Sequence, residues 1–365
     1  MSAYSDLKIV HHEDKLSALR WGEQIIPAQV QLIISDLCNQ DCGFCAYRWS
    51  GYASNQLFTQ GAELAVFGHD NPKRWIPYEK VVEILEDCSD MGVRAIQITG
   101  GGEPTVHPQY KKIFKDVLER RLDLALVTNG ARLDDESLDI LTQATWIRVS
   151  VDCGTAETYA QIRRVSPTGW TKVWENIRKL VTKKEQTGSD LVIGIGFVVT
   201  ADNYKEIVQG TKIARDAGVD NIRLSAVFQP DDENYFKDFY EEAASNCRAA
   251  ETLATKSFQI VNNFGDRVSD LKQHSPDYSF CGYQQFVTYI GGDLNVYRCC
   301  VLAYNERGII GSIKNQSFKE LWKSEQKRID FENFDARQCN RCMFNSKNKV
   351  ILYALDPKPL HVNFV

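Results

Sequence analysis

Long apolar runs are missing from this 365-residue chain. The longest, such as Leu191–Thr200, fall far short of the roughly 20 residues that span a bilayer, so no membrane partner is expected. The N-terminus, MSAYSDLKIVHHEDKL, lacks the basic-then-apolar order of a secretory signal, which points to the cytoplasm. Positive charge is not in excess: 43 Lys and Arg face 48 Asp and Glu, a net charge of −5. With no basic, aromatic-interleaved stretch, nucleic acid is not an expected partner. Low-complexity segments are absent as well. What remains has the composition of a globular protein, 43% hydrophobic and 25% charged, long enough for about two domains.

Cysteine, by contrast, is plentiful. There are eleven, an odd number, and in a reducing compartment clustered cysteines bind metal or do redox chemistry more often than they form disulfides. Their placement follows the organisation of the chain. Short apolar runs at Val30–Ser35, Arg94–Thr99, Leu124–Thr128, Trp146–Val151, Leu191–Thr200 and Asn221–Val227 read as near-continuously apolar strands, covered on both faces. Helical patterns lie between them at Pro77–Gly92, Pro108–Arg121, Glu136–Thr142, Gly169–Lys184 and Tyr204–Ala217. Six such units predict an α/β fold with a parallel sheet, a partial (β/α)6 TIM-like barrel whose chemistry sits at the C-terminal strand ends. After Pro230 the pattern breaks. Asp231–Lys256 reads as one long or two short helices. A hairpin, Gln284–Ile290 and Asn295–Cys300 around Gly291-Gly292-Asp293-Leu294, and a short helix near Phe318–Gln326 then predict a small α+β unit.

Cys38, Cys42 and Cys45 directly follow the first strand. A structural zinc site is closed and takes four ligands, and no fourth Cys or His occurs before His69. A four-iron cube also takes four Cys ligands as a rule. Three thiolates leave one iron open, and an open iron is a place for chemistry.

This C-x3-C-x2-C spacing, with aromatic Phe44 before the last Cys, resembles the hallmark of radical S-adenosylmethionine (SAM) enzymes. The resemblance extends from about Gln29 to Phe228. Thr99-Gly100-Gly101-Gly102-Glu103-Pro104 is similar to the family's GGEP segment, implying that Gly101, Gly102, Glu103 and Pro104 hold the methionyl amino group, with Glu103 free to accept from an ammonium. The resemblance further implies SAM contacts at Thr128 and Asn129, at Ser150 and Asp152, at Arg163 for the SAM carboxylate (Arg164 competing), and at Gly194 and Gly196 facing adenine. It implies a SAM-binding 4Fe–4S cluster on Cys38, Cys42 and Cys45, cleavage of SAM to a 5′-deoxyadenosyl radical, and hydrogen abstraction from substrate.

Cys281, Cys299, Cys300, Cys339 and Cys342 resemble the ligand set of the twitch module, the shortened SPASM domain, with one auxiliary 4Fe–4S cluster. Cys281, Cys339 and Cys342 are three of its ligands. Neighbours on a strand point to opposite faces, so one of Cys299 and Cys300 is the fourth; Cys300 is preferred. A four-cysteine zinc ribbon would show similar spacing. The expected divisions are 1–28, an N-terminal extension; 29–230, the barrel; 231–275, a helical linker; 276–350, the twitch-type domain; and 351–365, a tail. Cys88 and Cys247 read as core residues. Cys153, beside Asp152, offers a thiol that could return a hydrogen atom to a substrate radical, as in some related epimerases, against the reading of a packed thiol.

The plan serves peptide substrates (cross-linked, epimerised or oxidised) and small molecules such as aminocyclitols or sugars. The first is expected here; the short segment before the first strand weakens the version with a built-in peptide-recognition domain and leaves room for a separate recognition protein. A reductant such as flavodoxin or ferredoxin is implied. Asp231-Asp232-Glu233 and Glu241-Glu242 could meet a cationic substrate or simply form a solvated face. The loop from Ala46 to Trp75, long for a βα connection, reads as a lid or substrate wall or as a packed insertion. A non-catalytic electron carrier is the third alternative; it would have no use for an open iron.

Overall fold

A computed structural model describes residues 4–48, 74–228, 234–273, 275–339, 341–361 and 363. Most of the Ala46–Trp75 loop, the Asp231-Asp232-Glu233 run and part of the expected linker lie outside the described residues. Helix α1 (Glu13–Arg20) precedes β1 (Gln29–Leu32). There follow α2 (Tyr78–Met91), β2 (Ala95–Ile98), α3 (Tyr110–Glu119), β3 (Asp123–Thr128), α4 (Asp135–Leu141), β4 (Trp146–Ser150), α5 (Ala156–Arg163), α6 (Thr168–Thr187), β5 (Val192–Val199), α7 (Ile207–Asp216) and β6 (Asn221–Ala226). The chain continues through α8 (Tyr240–Glu251), β7 (Gln259–Asn262), α9 (Phe264–Lys272), α10 (Tyr283–Phe286), β8 (Val287–Ile290), β9 (Asn295–Tyr297), β10 (Ile309–Ser312), α11 (Phe318–Trp322), α12 (Glu325–Asn333) and α13 (Asn345–Leu355).

The strands form one sheet in the order β10-β9-β8-β1-β2-β3-β4-β5-β6-β7. All six expected βα strands are present and parallel, as in a TIM-like partial barrel. Two neighbours were not anticipated. β7 pairs parallel with β6 at one side. At the other, β8 pairs parallel with β1, Val30 opposite Thr288 and Leu32 opposite Ile290. The C-terminal hairpin therefore extends the barrel's own sheet, and the β1 edge, an open row of backbone donors and acceptors, is covered.

The strands alternate rather than run continuously apolar. Val30, Leu32, Ile96, Ile98, Leu124, Leu126, Ile147, Val149, Ile193 and Ile195 are buried in one core, and the helices pack on that face. α2 shows how: Val81, Ile84, Leu85 and Cys88 fall three or four residues apart and are all buried. Gly92 closes the helix in the left-handed conformation, φ +87°. The other sheet face carries Gln31, Gln97, Arg148, Ser150, Gly194, Gly196 and Arg223, only partly buried or without a side chain. A face lining an interior space needs polar groups, which breaks the apolar run expected of strands covered on both sides. Cys88 and Cys247 are core residues. Among the described residues no helix is long and apolar enough to cross a membrane.

Candidate functional site

Because β1 to β4 are parallel, their C-terminal loops meet at one end of the barrel. The loop after β1 carries Cys38, Cys42 and Cys45. It is fastened to the C-terminus of α5: the Asp41 N–H donates to the Arg163 carbonyl (3.2 Å) and the Gly43 N–H to the Ile162 carbonyl (3.0 Å). Helix ends leave carbonyls without intrahelical partners, and the cysteine loop supplies the donors. The Cys45 N–H bonds the Cys42 carbonyl (3.2 Å), turning those two thiols toward one place. Cys38 is exposed, Cys42 and Cys45 partly buried. Burial, then the neighbouring Cys42, push the Cys45 thiol up to about 12. Crowded thiolates without countercharge are costly, and iron would relieve that cost.

The Gly100–Pro104 segment packs on this loop. The Gly102 N–H donates to Ser35 O (3.1 Å) and the Glu103 N–H to Leu37 O (2.8 Å). A Cβ on Gly102 would lie 2.1 Å from Leu37 O, and one on Gly101 2.4 Å from an Asp36 carboxylate oxygen. Gly102 thus admits the chain's own backbone, and Gly101 the Asp36 carboxylate. Glu103, expected to accept from the SAM ammonium, is also part of the frame that holds this segment. Its carboxylate accepts from Thr105 N (3.1 Å), Thr105 Oγ1 (2.7 Å), Thr128 Oγ1 (2.6 Å) and Asn129 N (2.7 Å). Three of these donors meet Oε1 and one meets Oε2, which leaves Oε2 with an acceptor position to spare. Thr128 is thereby engaged too, Pro104 starts a buried helical turn, and Asn129 Nδ2 reaches Asn39 Oδ1 at 2.7 Å, tying β3 to the cysteine loop.

Arg163, expected to meet the SAM carboxylate, lies in a buried network of this chain's own groups. It is 3% exposed and pairs with the Asp152 carboxylate. It also donates to Gln40 Oε1 and to Ser150 O, each at 2.8 Å. Burial opposes its charge, but Asp152 and Cys42 beside it more than reverse this. Its guanidinium lies 5.7 Å from the Phe44 ring centre, so Phe44 and Arg163 prop each other under the loop. Asp152, at φ +64°, also accepts from Val198 N at 2.7 Å and is not available to a ribose. Arg164, the competing choice, is exposed and pairs with Asp41 at 3.0 Å. Ser150 remains on the inner sheet face. Cys153 does not face it: the thiol is 1% exposed, packed in the barrel core, and donates to Val151 O at 3.4 Å. A hydrogen donor must reach substrate, so that reading is corrected to a packed thiol.

A second set lies between α10, the β9–β10 connection and α13. Cys281, Cys299, Cys339 and Cys342 line one pocket with Tyr278, Tyr283, Arg298, Phe334 and Phe344. Cys300 is not among the lining residues; it packs instead on the tyrosine cluster of Tyr289, Tyr297 and Tyr304. The pocket lining thus favours Cys299 over the expected Cys300. Both lie past Tyr297, the last residue of β9, so the connection to β10, not strand alternation, separates them. Burial pushes Cys281 up to about 12 and Cys339 to about 11. Tyr278 donates toward Cys342 Sγ (3.7 Å) and to Asn345 (2.9 Å), which fixes that thiol. Among the described residues no three Cys, His, Asp or Glu groups converge on a single ion; a four-iron cube takes its thiolates at separate corners.

Residues 32–198 match the Radical SAM superfamily, and residues 281–343 match SPASM, an iron–sulfur cluster-binding domain. The chain belongs to the radical SAM superfamily. Its fold is similar to that of SuiB from Streptococcus suis, with a TM-score of 0.61 at 15% identity over 89% of this chain and 73% of SuiB. A tungsten-containing aldehyde ferredoxin oxidoreductase cofactor-modifying protein from Pyrococcus furiosus is 32% identical over 153 residues, 40% of this chain and 42% of that one. An S-adenosylmethionine-dependent nucleotide dehydratase from Flammeovirga pacifica is 29% identical over 147 residues, 39% of this chain and 44% of its own. The chain thus covers less than half the length of these two curated relatives.

In this radical SAM protein the donor sets suit the cofactors of its two domains: three thiols in an accessible loop for a SAM-binding 4Fe–4S cluster, and four in a walled pocket for an auxiliary one. The link between the two regions escaped the sequence reading. Tyr304 donates to Asp36, next to the cysteine loop, and Tyr47 and Tyr289 share a hydrogen bond at 3.0 Å. A Cβ on Gly292 would stand 2.4 Å from the Asp36 carboxylate. The Gly291-Gly292 pair, a turn signal in sequence, also permits this close approach. Gly194 leaves room for the Asn221 side chain, and Gly196 for Arg148.

Proposed function

We propose that this protein binds SAM at the Cys38–Cys45 loop and uses it to abstract a hydrogen atom from a peptide or protein held in the barrel, leading to a cross-link, an epimerised centre or an oxidised side chain. The observation that carries the reading is the three-thiol loop, fastened by α5 at the C-terminal strand ends beside a polar inner face. When bound there, a reduced cluster supplies the electron that splits SAM into methionine and the 5′-deoxyadenosyl radical. Cys38, Cys42 and Cys45 would hold that cluster, and Arg163, Asp152 and Gln40 fix the loop that carries them. Backbone groups of Gly101 and Gly102, with Ser150, Asn129 and Gly196, border the place for SAM. Cys281, Cys299, Cys339 and Cys342 would hold the auxiliary cluster.

The peptide reading is supported by the fold shared with SuiB, whose crystal structures include one bound to precursor peptide SuiA. We place the enzyme in the cytoplasm, with a flavodoxin- or ferredoxin-type reductant and a separate peptide-recognition protein as partners. A second reading, a small molecule such as an aminocyclitol or sugar, draws support from the arginines of the inner face and from the similarity to a nucleotide dehydratase. Anaerobic reconstitution with iron and sulfide, then SAM and dithionite, tests the common core. Release of 5′-deoxyadenosine is expected; none from protein carrying about eight irons, two cubes' worth, would leave an electron carrier as the reading.

A further inference from the structure

Buried arginines in this protein are paired almost everywhere. Arg163 has Asp152 and Gln40; Arg298 has Asp330 and Gln284, the latter at 2.9 Å. Arg148 on β4 and Arg223 on β6 are the exception. Both stand on the inner face, flanking β5, where Gly194 and Gly196 contribute no side chains. In register, Arg148 lies opposite Gly194, and Gly196 opposite Arg223. Strands two places apart are separated by roughly 10 Å, so two arginine side chains can approach over the glycine strip. The stem of Arg148 already lies there, its Cδ 3.6 Å from where a Gly196 Cβ would be. Each guanidinium sits near one ring, Arg148 5.7 Å from Trp146 and Arg223 5.8 Å from Tyr4. Among the described residues neither forms an ion pair, and the buried Nε of Arg223 has no hydrogen-bond partner.

Two adjacent, unpaired, partly desolvated cations cost stability. Burial, then Arg148 and Arg267, pull the Arg223 guanidinium down to about 9. Arg267 itself is neutralised by Asp270 at 3.1 Å. The donors of two guanidinium groups, five each, therefore stand along the glycine strip, beside an Asn221 side chain that fills the space over Gly194 and already accepts from the Tyr4 hydroxyl at 3.3 Å. Arg148 is two residues, roughly 7 Å, beneath Ser150 along β4, whereas Arg223 is level with Gly196 and Ser150 in register, so the pair begins at the floor of the place for SAM. We propose that Arg148 and Arg223 clamp an anionic group of the substrate, a phosphate or a carboxylate, on the inner face of the barrel along the glycine strip of β5. The proposal rests on the radical SAM reading above and narrows its substrate to one carrying such a group.

Calorimetric titration of anaerobically reconstituted protein, without reductant, tests this with inorganic pyrophosphate and with citrate. At least one probe is expected to bind, with tenfold or greater weakening in R148Q and in R223Q and partial recovery in R223K. Pyrophosphate alone would assign a phosphorylated substrate, and citrate alone a carboxylate such as an acidic side chain. SAM titrated into the same variants should shift less than twofold. The proposal is overturned if neither probe binds wild type, if both variants bind like wild type, or if SAM affinity falls in parallel, which would give the arginines to the SAM carboxylate. Variants with lost circular dichroism are replaced by R148K with R223K, which keep the charge but lose the bidentate fork and should weaken binding severalfold. Release of 5′-deoxyadenosine by the wild-type protein decides the radical SAM reading separately, so each can fail alone.

Discussion

The two cysteine sets differ in completeness and in exposure, and the differences go together. The loop set has three thiols, one of them exposed, and depends on distant groups for its shape: the α5 carbonyls, Arg163, Asn129. The pocket set has four, walled by Tyr278, Tyr283, Phe334 and Phe344, with Tyr283 and Phe344 stacked at 3.9 Å. An incomplete donor set has to face an opening, because its purpose is to leave a position for another ligand. A complete set is best closed, since burial shields the cluster and tunes its potential. The sharpest break of this contrast is Cys38→Ala, Cys42→Ala or Cys45→Ala. Each should abolish 5′-deoxyadenosine release while leaving the pocket's iron, about four per chain, in place. Retained SAM cleavage in any of the three would contradict the assignment.

Next in size is the pocket itself. Cys299→Ala should lower bound iron by about four atoms per chain, whereas Cys300→Ala should leave the count unchanged. An iron assay on the two variants in parallel separates them, and the reverse result would return the ligand to Cys300. Choosing between them by strand alternation required both to lie on a strand, and β9 ends at Tyr297. Where it ends depends on how the β8–β9 hairpin locks onto β1, a pairing between residues more than 250 positions apart. The same limit explains the other gaps. Six βα units were readable because each repeats a local apolar rhythm. β7, the four residues Gln259–Asn262 with a half-exposed pattern, and β10, interrupted by Gly311, carry too little rhythm to stand out. Residues 351–365 were expected as a tail, yet the first five of them complete α13, which is pinned at Gly282, where a Cβ would meet Ile351 at 2.4 Å.

Site residues follow the same rule. Their positions were legible from motif spacing; their roles were not, because a carboxylate or guanidinium in sequence looks unengaged. Asp152 and Arg163 hold the loop set as a buried pair, so Asp152→Ala should cost about 3–5 kcal/mol in urea unfolding by stranding the Arg163 charge. Hydrogen exchange at 38–45 should rise in the same variant, while amides around Cys281 and Cys339 stay protected. Equal loosening of both regions would show that the pair supports the whole barrel rather than the loop. Glu103→Gln is milder. One carboxylate oxygen becomes an NH2 group, and in either orientation it confronts an N–H or O–H donor. About 1–3 kcal/mol should be lost, with SAM cleavage reduced but not abolished. Abolition at unchanged stability would instead restore Glu103 as a direct contact to the SAM ammonium.

The smallest effect is expected at Cys153. Its thiol is enclosed by barrel-core side chains, and burial, then Asp152, raise it far above an ordinary cysteine, so it is neither a nucleophile nor a reachable hydrogen source. Cys153→Ala removes one sulfur from a packed site and should cost about 1 kcal/mol. Cys153→Ser should cost somewhat more, because a hydroxyl is harder to desolvate than a thiol, although Val151 O can still accept from it. Product yield and stereochemistry should be unchanged in both once a substrate is in hand. A change in stereochemistry with the melting temperature preserved would mean that the strand end opens during turnover, enough to bring this thiol to the inner face. The contrast would then be between a pocket that stays shut and a barrel mouth that does not.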